Sequence, residues 1–204
     1  MQVLVLGGAD YQGIFLAEGF GLALDTEEAD LVCFTGGTDI NPQLYAQVAI
    51  AETDHPDIQR DAFEEQVFQE CVRSGIPMVG ICRGAQLLCA LSGGHLFQDV
   101  AGHLTSHKAD TADGRDMLVT SSHHQMMDPR DTKHSVLMWA DNRSGYYITE
   151  TIEKHGPPVD YEVVYFHETR ALSHQPHPEW MERTSQYYQW FFKTVDQLMR
   201  GDLE

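Results

Sequence analysis

IPMVGICRGAQLLCALSGG, residues 76–94, is the stretch whose reading decides the fold. Its first part, 76–82, is short and apolar throughout, the composition of a strand buried on both faces of a parallel sheet. Its second part, 84–94, carries an apolar helical run that stops at a glycine pair. Cys82 stands at the junction, with Gly80 and Gly84 two positions to either side. A strand that turns abruptly into a helix holds the junction residue in a strained conformation at the carboxyl edge of the sheet, and flanking glycines make room for it. The helix N-terminus that follows favours a thiolate and offers free N–H groups to a developing oxyanion, that of Arg83 among them. Cys82 is therefore the candidate nucleophile.

Outward from this elbow, strand-like and helical runs alternate. Segments 2–7 (QVLVLG) and 30–37 (DLVCFTGG) are β-rich and end in glycine. Segment 57–75 places Phe63, Val67 and Cys71 four apart, which predicts one buried helical face ending at Gly75. The second half is richer in strand patterns (HLFQDV, DMLVTS, HSVLMWA, DYEVVYF), with the SSHHQ run 121–125 also read as a strand. It closes with a helix whose stripe is Tyr187, Phe191, Val195 and Leu198 or Met199. There is no repeat and no linker. The expectation is one α/β domain over 1–204, with a largely parallel sheet.

The chain has 204 residues, 13 basic against 31 acidic, for a net charge of −18. Such a surface repels phosphate backbones and anionic lipid, so neither nucleic acid nor membrane is an expected partner. No apolar run approaches the roughly 20 residues of a bilayer span, and the start lacks a signal-peptide pattern, so the expected location is cytoplasmic. Cys33, Cys71 and Cys89 look like core thiols; their spacings are not those of a zinc ribbon. Among the 11 histidines, His167, His174 and His177 cluster in sequence without a metal-binding helix motif. His123 and His124 are adjacent and would point to opposite faces of a strand, so no metal and no cofactor is expected.

A cysteine nucleophile needs a base, and the base an orienting group. His177 and Glu179 flank Pro178, whose fixed backbone could aim both side chains into one pocket. Asp10 and Tyr11, in the glycine-rich LGGADYQG turn, are weaker candidates for substrate contact. Asp99 and His103 could also face the site, Asp99 more in a structural role.

The ordered set GICRGAQ (80–86), FTGGTDINP (34–42) and His177-Pro178-Glu179 resembles the class I glutamine amidotransferase superfamily, from about Leu31 to Trp180. RDAFE (60–64), GGHLFQD (93–99) and SSHHQ (121–125) are similar to motifs of its γ-glutamyl hydrolase branch. That branch includes γ-glutamyl-GABA hydrolases. The resemblance implies a flavodoxin-like three-layer sandwich and a Cys82-His177-Glu179 triad. It also implies an oxyanion hole from the N–H groups of Gly37 and Arg83, and glutamyl contacts from Gln86, Ser121, Ser122 and His123. Thr120 and Pro176 depart from the branch's usual asparagine and aromatic residue.

The implied activity is hydrolysis of a γ-glutamyl amide through a γ-glutamyl thioester, on a small-molecule substrate. Two alternatives stay open: a glutaminase subunit that passes ammonia to a synthetase partner, and a catalytically silent binding subunit. A homodimer is also possible.

Overall fold

The computed structural model describes residues 1–203 except 142, 151, 154 and 155; of 152–153 it describes the backbone alone. In its first half, strands β1 (Gln2–Leu6), β2 (Gly21–Leu22), β3 (Leu31–Phe34) and β4 (Met78–Ile81) alternate with helices α1 (Ala9–Ala17), α2 (Ile58–Ser74) and α3 (Arg83–Leu91). The second half holds short strands β5 (His95–Phe97), β6 (Asp99–Val100), β7 (His107–Thr111), β8 (Asp116–Val119) and β9 (Met126–Asp128). Then come β10 (His134–Ala140), β11 (Tyr147–Ile148), β12 (Ile152–Glu153), β13 (Asp160–Phe166), β14 (Ala171–His174) and the last helix, α4 (Gln186–Arg200).

Among the described residues the main sheet has nine strands in the order β2-β1-β3-β4-β14-β13-β10-β7-β8. The first five run parallel. From β14 onward every pairing is antiparallel. The sheet is thus parallel where the elbow lies and antiparallel beyond it. Two of these pairings, β7–β8 and β13–β14, are joined by connections too short for the helical crossover that a parallel pair needs.

Successive residues of the central strands face opposite layers. Cys33, Val79, Ile81 and Leu172 pack with Phe15 and with Tyr187, Phe191, Val195 and Leu198 of α4 on one side. Val32, Phe34, Met78 and Ala171 pack with Val67, Phe68 and Cys71 of α2 and with α3 on the other. This is a three-layer α/β sandwich, and the α4 stripe is buried as its periodicity predicts.

Two local expectations change. Phe63 is 54% exposed, while Asp61, Glu64, Val67, Phe68 and Cys71 form the buried face of α2. Two acidic residues occupy that face because a buried arginine, Arg83, meets them there. The SSHHQ run is irregular chain between β8 and β9, not a strand.

Candidate active site

Strand β4 leads into α3 through a single residue, Cys82, with φ 52° and ψ −108°. For a residue with a Cβ this is a strained conformation, held by its neighbours. Its N–H donates to the His174 carbonyl at 2.7 Å, continuing the β4–β14 ladder into the turn. The two glycines are required by close approach. A Cβ on Gly80 would lie 2.5 Å from the Gly84 carbonyl oxygen, and one on Gly84 would strike the Phe34 backbone. Arg83 opens α3, so its N–H has no acceptor within the helix.

Strand β14 lies beside β4 and delivers His177 and Glu179 just beyond its end. His177 Nδ1 donates to Glu179 Oε1 at 2.6 Å, and both side chains are buried. Burial works against an imidazolium here. The Cys82 sulfur and the Glu179 carboxylate outweigh it, raising the His177 pKa from its ordinary 6.5 to about 9. The Thr120 hydroxyl accepts from the His177 N–H at 3.2 Å and donates to its carbonyl at 2.7 Å. Thr120 thus closes a two-point clamp on the histidine backbone. Trp180 stacks parallel on the imidazole, centroids 3.7 Å apart, and Ser122 Oγ lies 3.5 Å from Nε2.

The glycine-rich loop after β3 passes over the elbow. A Cβ on Gly36 would strike the Tyr11 hydroxyl and crowd His177, and one on Gly37 would strike the Arg60 guanidinium. The Arg60 guanidinium donates to the carbonyls of Gly36 at 3.0 Å and Thr35 at 3.1 Å, and to Glu64 Oε1 at 2.8 Å. Arg83 in turn donates to Glu64 Oε2 at 2.5 Å and to Asp61. Asp61 Oδ2 accepts the Asn41 N–H at 2.9 Å. Two arginines and two acids thus form a charge-balanced bridge among the loop, α2 and the elbow, with Arg83 1% exposed. Here the RDAFE motif acquires a physical role.

Gln86 donates to the Gln125 carbonyl at 3.0 Å, tying α3 to the 121–125 segment. Within that segment Ser122 is exposed and faces His177, whereas Ser121 and His123 turn inward. Ser121 Oγ donates to the His103 carbonyl at 2.5 Å, and the His123 ring stacks on the His103 ring. His124 points the other way, each ring nitrogen 3.2 Å from an aspartate, Asp99 or Asp39. Asp99 therefore holds a loop. Tyr11 comes close to Glu179, and burial together with that carboxylate pushes its phenol up; Asp10 is exposed. The three histidines of 167–177 go to different places. His167 bonds Ser135, and His174 is buried against Tyr187, where burial lowers its pKa to about 3.

Trp180, a single residue without a motif's periodicity, gives no sign in the sequence of its place on the imidazole. Thr120 and Arg60 are visible there through motif likeness alone, and their roles appear only once His177 and Gly36 are beside them. The other thiols are of a different kind: burial pushes Cys71 up to about 12 and Cys33 well above its usual value.

No helix among the described residues is long and apolar enough to cross a membrane. A putatively assigned glutamine amidotransferase of Mycobacterium tuberculosis is 36% identical to this chain over 117 residues, covering 50% of this chain and 38% of the relative. The gamma-glutamyl-CDP-amidate hydrolase of Campylobacter jejuni is 30% identical over 77 residues, covering 38% of this chain and 34% of the relative. The chain spans about half or less of the length of the curated relatives it matches. Among solved structures, a glutamine amidotransferase from Thermotoga maritima superposes with a TM-score of 0.60 at 15% identity, covering 100% of this chain and 86% of that one. At that identity the likeness concerns the fold. The profile of the peptidase C26 family matches residues 24–142, a span that includes Cys82 and ends before His177. With more than half of its residues inside that profile and a fold shared with glutamine amidotransferases, the chain belongs to the peptidase C26 family.

Proposed function

We propose that this protein hydrolyses a γ-glutamyl amide bond, with Cys82 as nucleophile, His177 as acid and base, and Glu179 orienting the imidazole. The observation that carries this reading is the strained Cys82 at the end of β4 beside a His177–Glu179 pair delivered by the adjacent strand. An imidazolium next to a cysteine favours the nucleophilic thiolate. The sulfur attacks the γ-carbonyl carbon, and the N–H groups of Gly37 and Arg83 receive the oxyanion. His177 then gives its proton to the leaving nitrogen as the C–N bond breaks, which leaves a γ-glutamyl thioester on Cys82. A water molecule loses a proton to His177 and attacks the thioester. The C–S bond breaks and glutamate departs.

Gln86 and Ser122 would frame the glutamyl group, Gln86 by fixing the 121–125 segment and Ser122 by its exposed hydroxyl beside His177. A relative named for a γ-glutamyl hydrolase supports a self-sufficient hydrolase over a glutaminase subunit.

The test is glutamate release by the purified protein alone, on glutamine and on a panel of γ-glutamyl amines and peptides. Cleavage of one γ-glutamyl amine, with glutamine a poor substrate, is the expected result. Cys82→Ala should lower kcat by about 10⁴-fold or more. Undiminished activity in that variant would sink the assignment, and activity that needs an added synthetase would favour ammonia delivery.

A further inference from the structure

Behind the Ser121–His123 turn lies a group of buried polar side chains that the proposed hydrolysis does not use. His103, His123 and Glu162 are 0%, 3% and 0% exposed. Each presents one potential ligand atom, and these atoms lie within 4.8 Å of one another. His103 Nδ1 stands 3.3 Å from Glu162 Oε1 without hydrogen-bond geometry. His103 Nδ1, His123 Nε2 and Glu162 Oε2 have no hydrogen-bond partner among the described residues. Buried polar atoms without partners are uncommon, and two of them gathered beside a ring nitrogen that meets Glu162 only at 3.3 Å call for a cause.

The outer hydrogen bonds identify it. His123 Nδ1 lies 2.8 Å from the Gln125 carbonyl. A carbonyl can only accept, so Nδ1 carries the hydrogen and Nε2 can present a lone pair inward. His103 Nε2 lies 2.9 Å from Asp160 Oδ2. The remaining nitrogen, Nδ1, faces Glu162. His107 Nε2 lies 2.7 Å from Glu162 Oε1, and Asp160 also receives the Tyr147 hydroxyl at 2.5 Å and the Arg143 N–H at 2.8 Å. Each inner group is thus oriented by an outer partner, the arrangement that fixes tautomer and aim around a metal ion.

We propose that His103, His123 and Glu162 form a binding site for a divalent transition metal, zinc by the nature of its donors. Two imidazoles and one carboxylate are a zinc-type set that leaves a fourth position. The three residues each place a ligand atom within 4.8 Å of the others, close enough for small side-chain movements to close them on one ion. The ion would tie the 103 loop and the 121–125 segment to β13, and so hold Ser122 where it meets His177. The Asp39–Asp54–His124 group is the weaker candidate, because Asp54 is exposed and His124 only half-buried, whereas all three residues of the first group are buried.

The experiment titrates Zn²⁺, and separately Co²⁺, into the full chain, reading binding by calorimetry and thermal midpoint and cobalt coordination by its visible spectrum. The expected result is about one ion per chain, a raised midpoint and the absorption of a low-coordinate cobalt site. Asp160→Asn should weaken affinity roughly 10–100-fold, His123→Gln should abolish tight binding, and His124→Gln should bind as the parent does. Failure of the folded parent chain to bind either ion would overturn the proposal. So would binding that survives His123→Gln but is lost in His124→Gln. Should the inner variants not fold, the parent titration and the cobalt spectrum still decide.

Discussion

His177 is bound on every side: Thr120 clamps its backbone, Glu179 holds Nδ1, and Trp180 covers the ring. Its pKa of about 9 lies above the ordinary 6.5, so the folded chain holds this proton more tightly than the unfolded chain. The stability that His177 contributes is therefore fully present below its unfolded pKa. It is lost as the pH rises through about 9. Replacing Glu179 by Gln removes one of the two charges that support the imidazolium. The ring pKa should fall, moving the alkaline loss of stability to lower pH, and kcat should drop by about 10²- to 10⁴-fold with KM little changed. Ring-proton shifts and urea midpoints against pH check the first part, and steady-state kinetics the second. Cys82, His177 and Glu179 are legible in the sequence because their spacing is local: an elbow, and a pair two residues apart. Thr120 is 57 residues from His177, and no local pattern joins them.

At the scale of elements, the bridge from Arg83 to Asp61 and Glu64 sets how α2, the Gly36–Gly37 loop and the elbow sit together. Removing one member leaves buried carboxylates uncompensated. Arg83→Met should cost on the order of 3–5 kcal/mol in urea unfolding. Adding Asp61→Asn and Glu64→Gln to that change should recover much of the loss, since the cost lies in the unpaired charge rather than in the absent bond. A triple variant no more stable than the single would contradict this account of the bridge. The same bridge explains why hydrophobic periodicity places Val67 and Cys71 on the buried face of α2 but misplaces Phe63. Phe63 is the natural apolar anchor by spacing, but the buried face follows Asp61 and Glu64 because a buried guanidinium must be neutralised.

For the whole molecule, the net charge of −18 is carried by a chain whose main sheet has nine strands among the described residues. Mutual repulsion of so many carboxylates opposes compactness, and salt screens it. The thermal midpoint should therefore rise from low to physiological ionic strength at neutral pH. A midpoint that stays flat or falls would show that attractive pairs, not net repulsion, dominate the surface. The parallel half of the sheet was legible because buried parallel strands are short apolar runs set between helical patterns. The antiparallel half was not, since β10 pairs with β13 and with β7 across long intervening stretches of chain, and no local pattern announces such partners.

By itself the sequence determined the α/β class, the strand-to-helix elbow at Cys82, the His177–Glu179 pair and the stripe of α4. These are local signals, written in periods of two and 3.6 residues or in fixed short spacings. Only the tertiary structure decided which residues from distant segments became neighbours. It brought Thr120 and Ser122 to His177, joined Arg60 and Arg83 through Glu64, and set His103 and His123 against Glu162. Their contacts depend on the register and order of whole strands, and the energy that fixes those comes from burying the sheet's two faces, not from the residues that meet as a result.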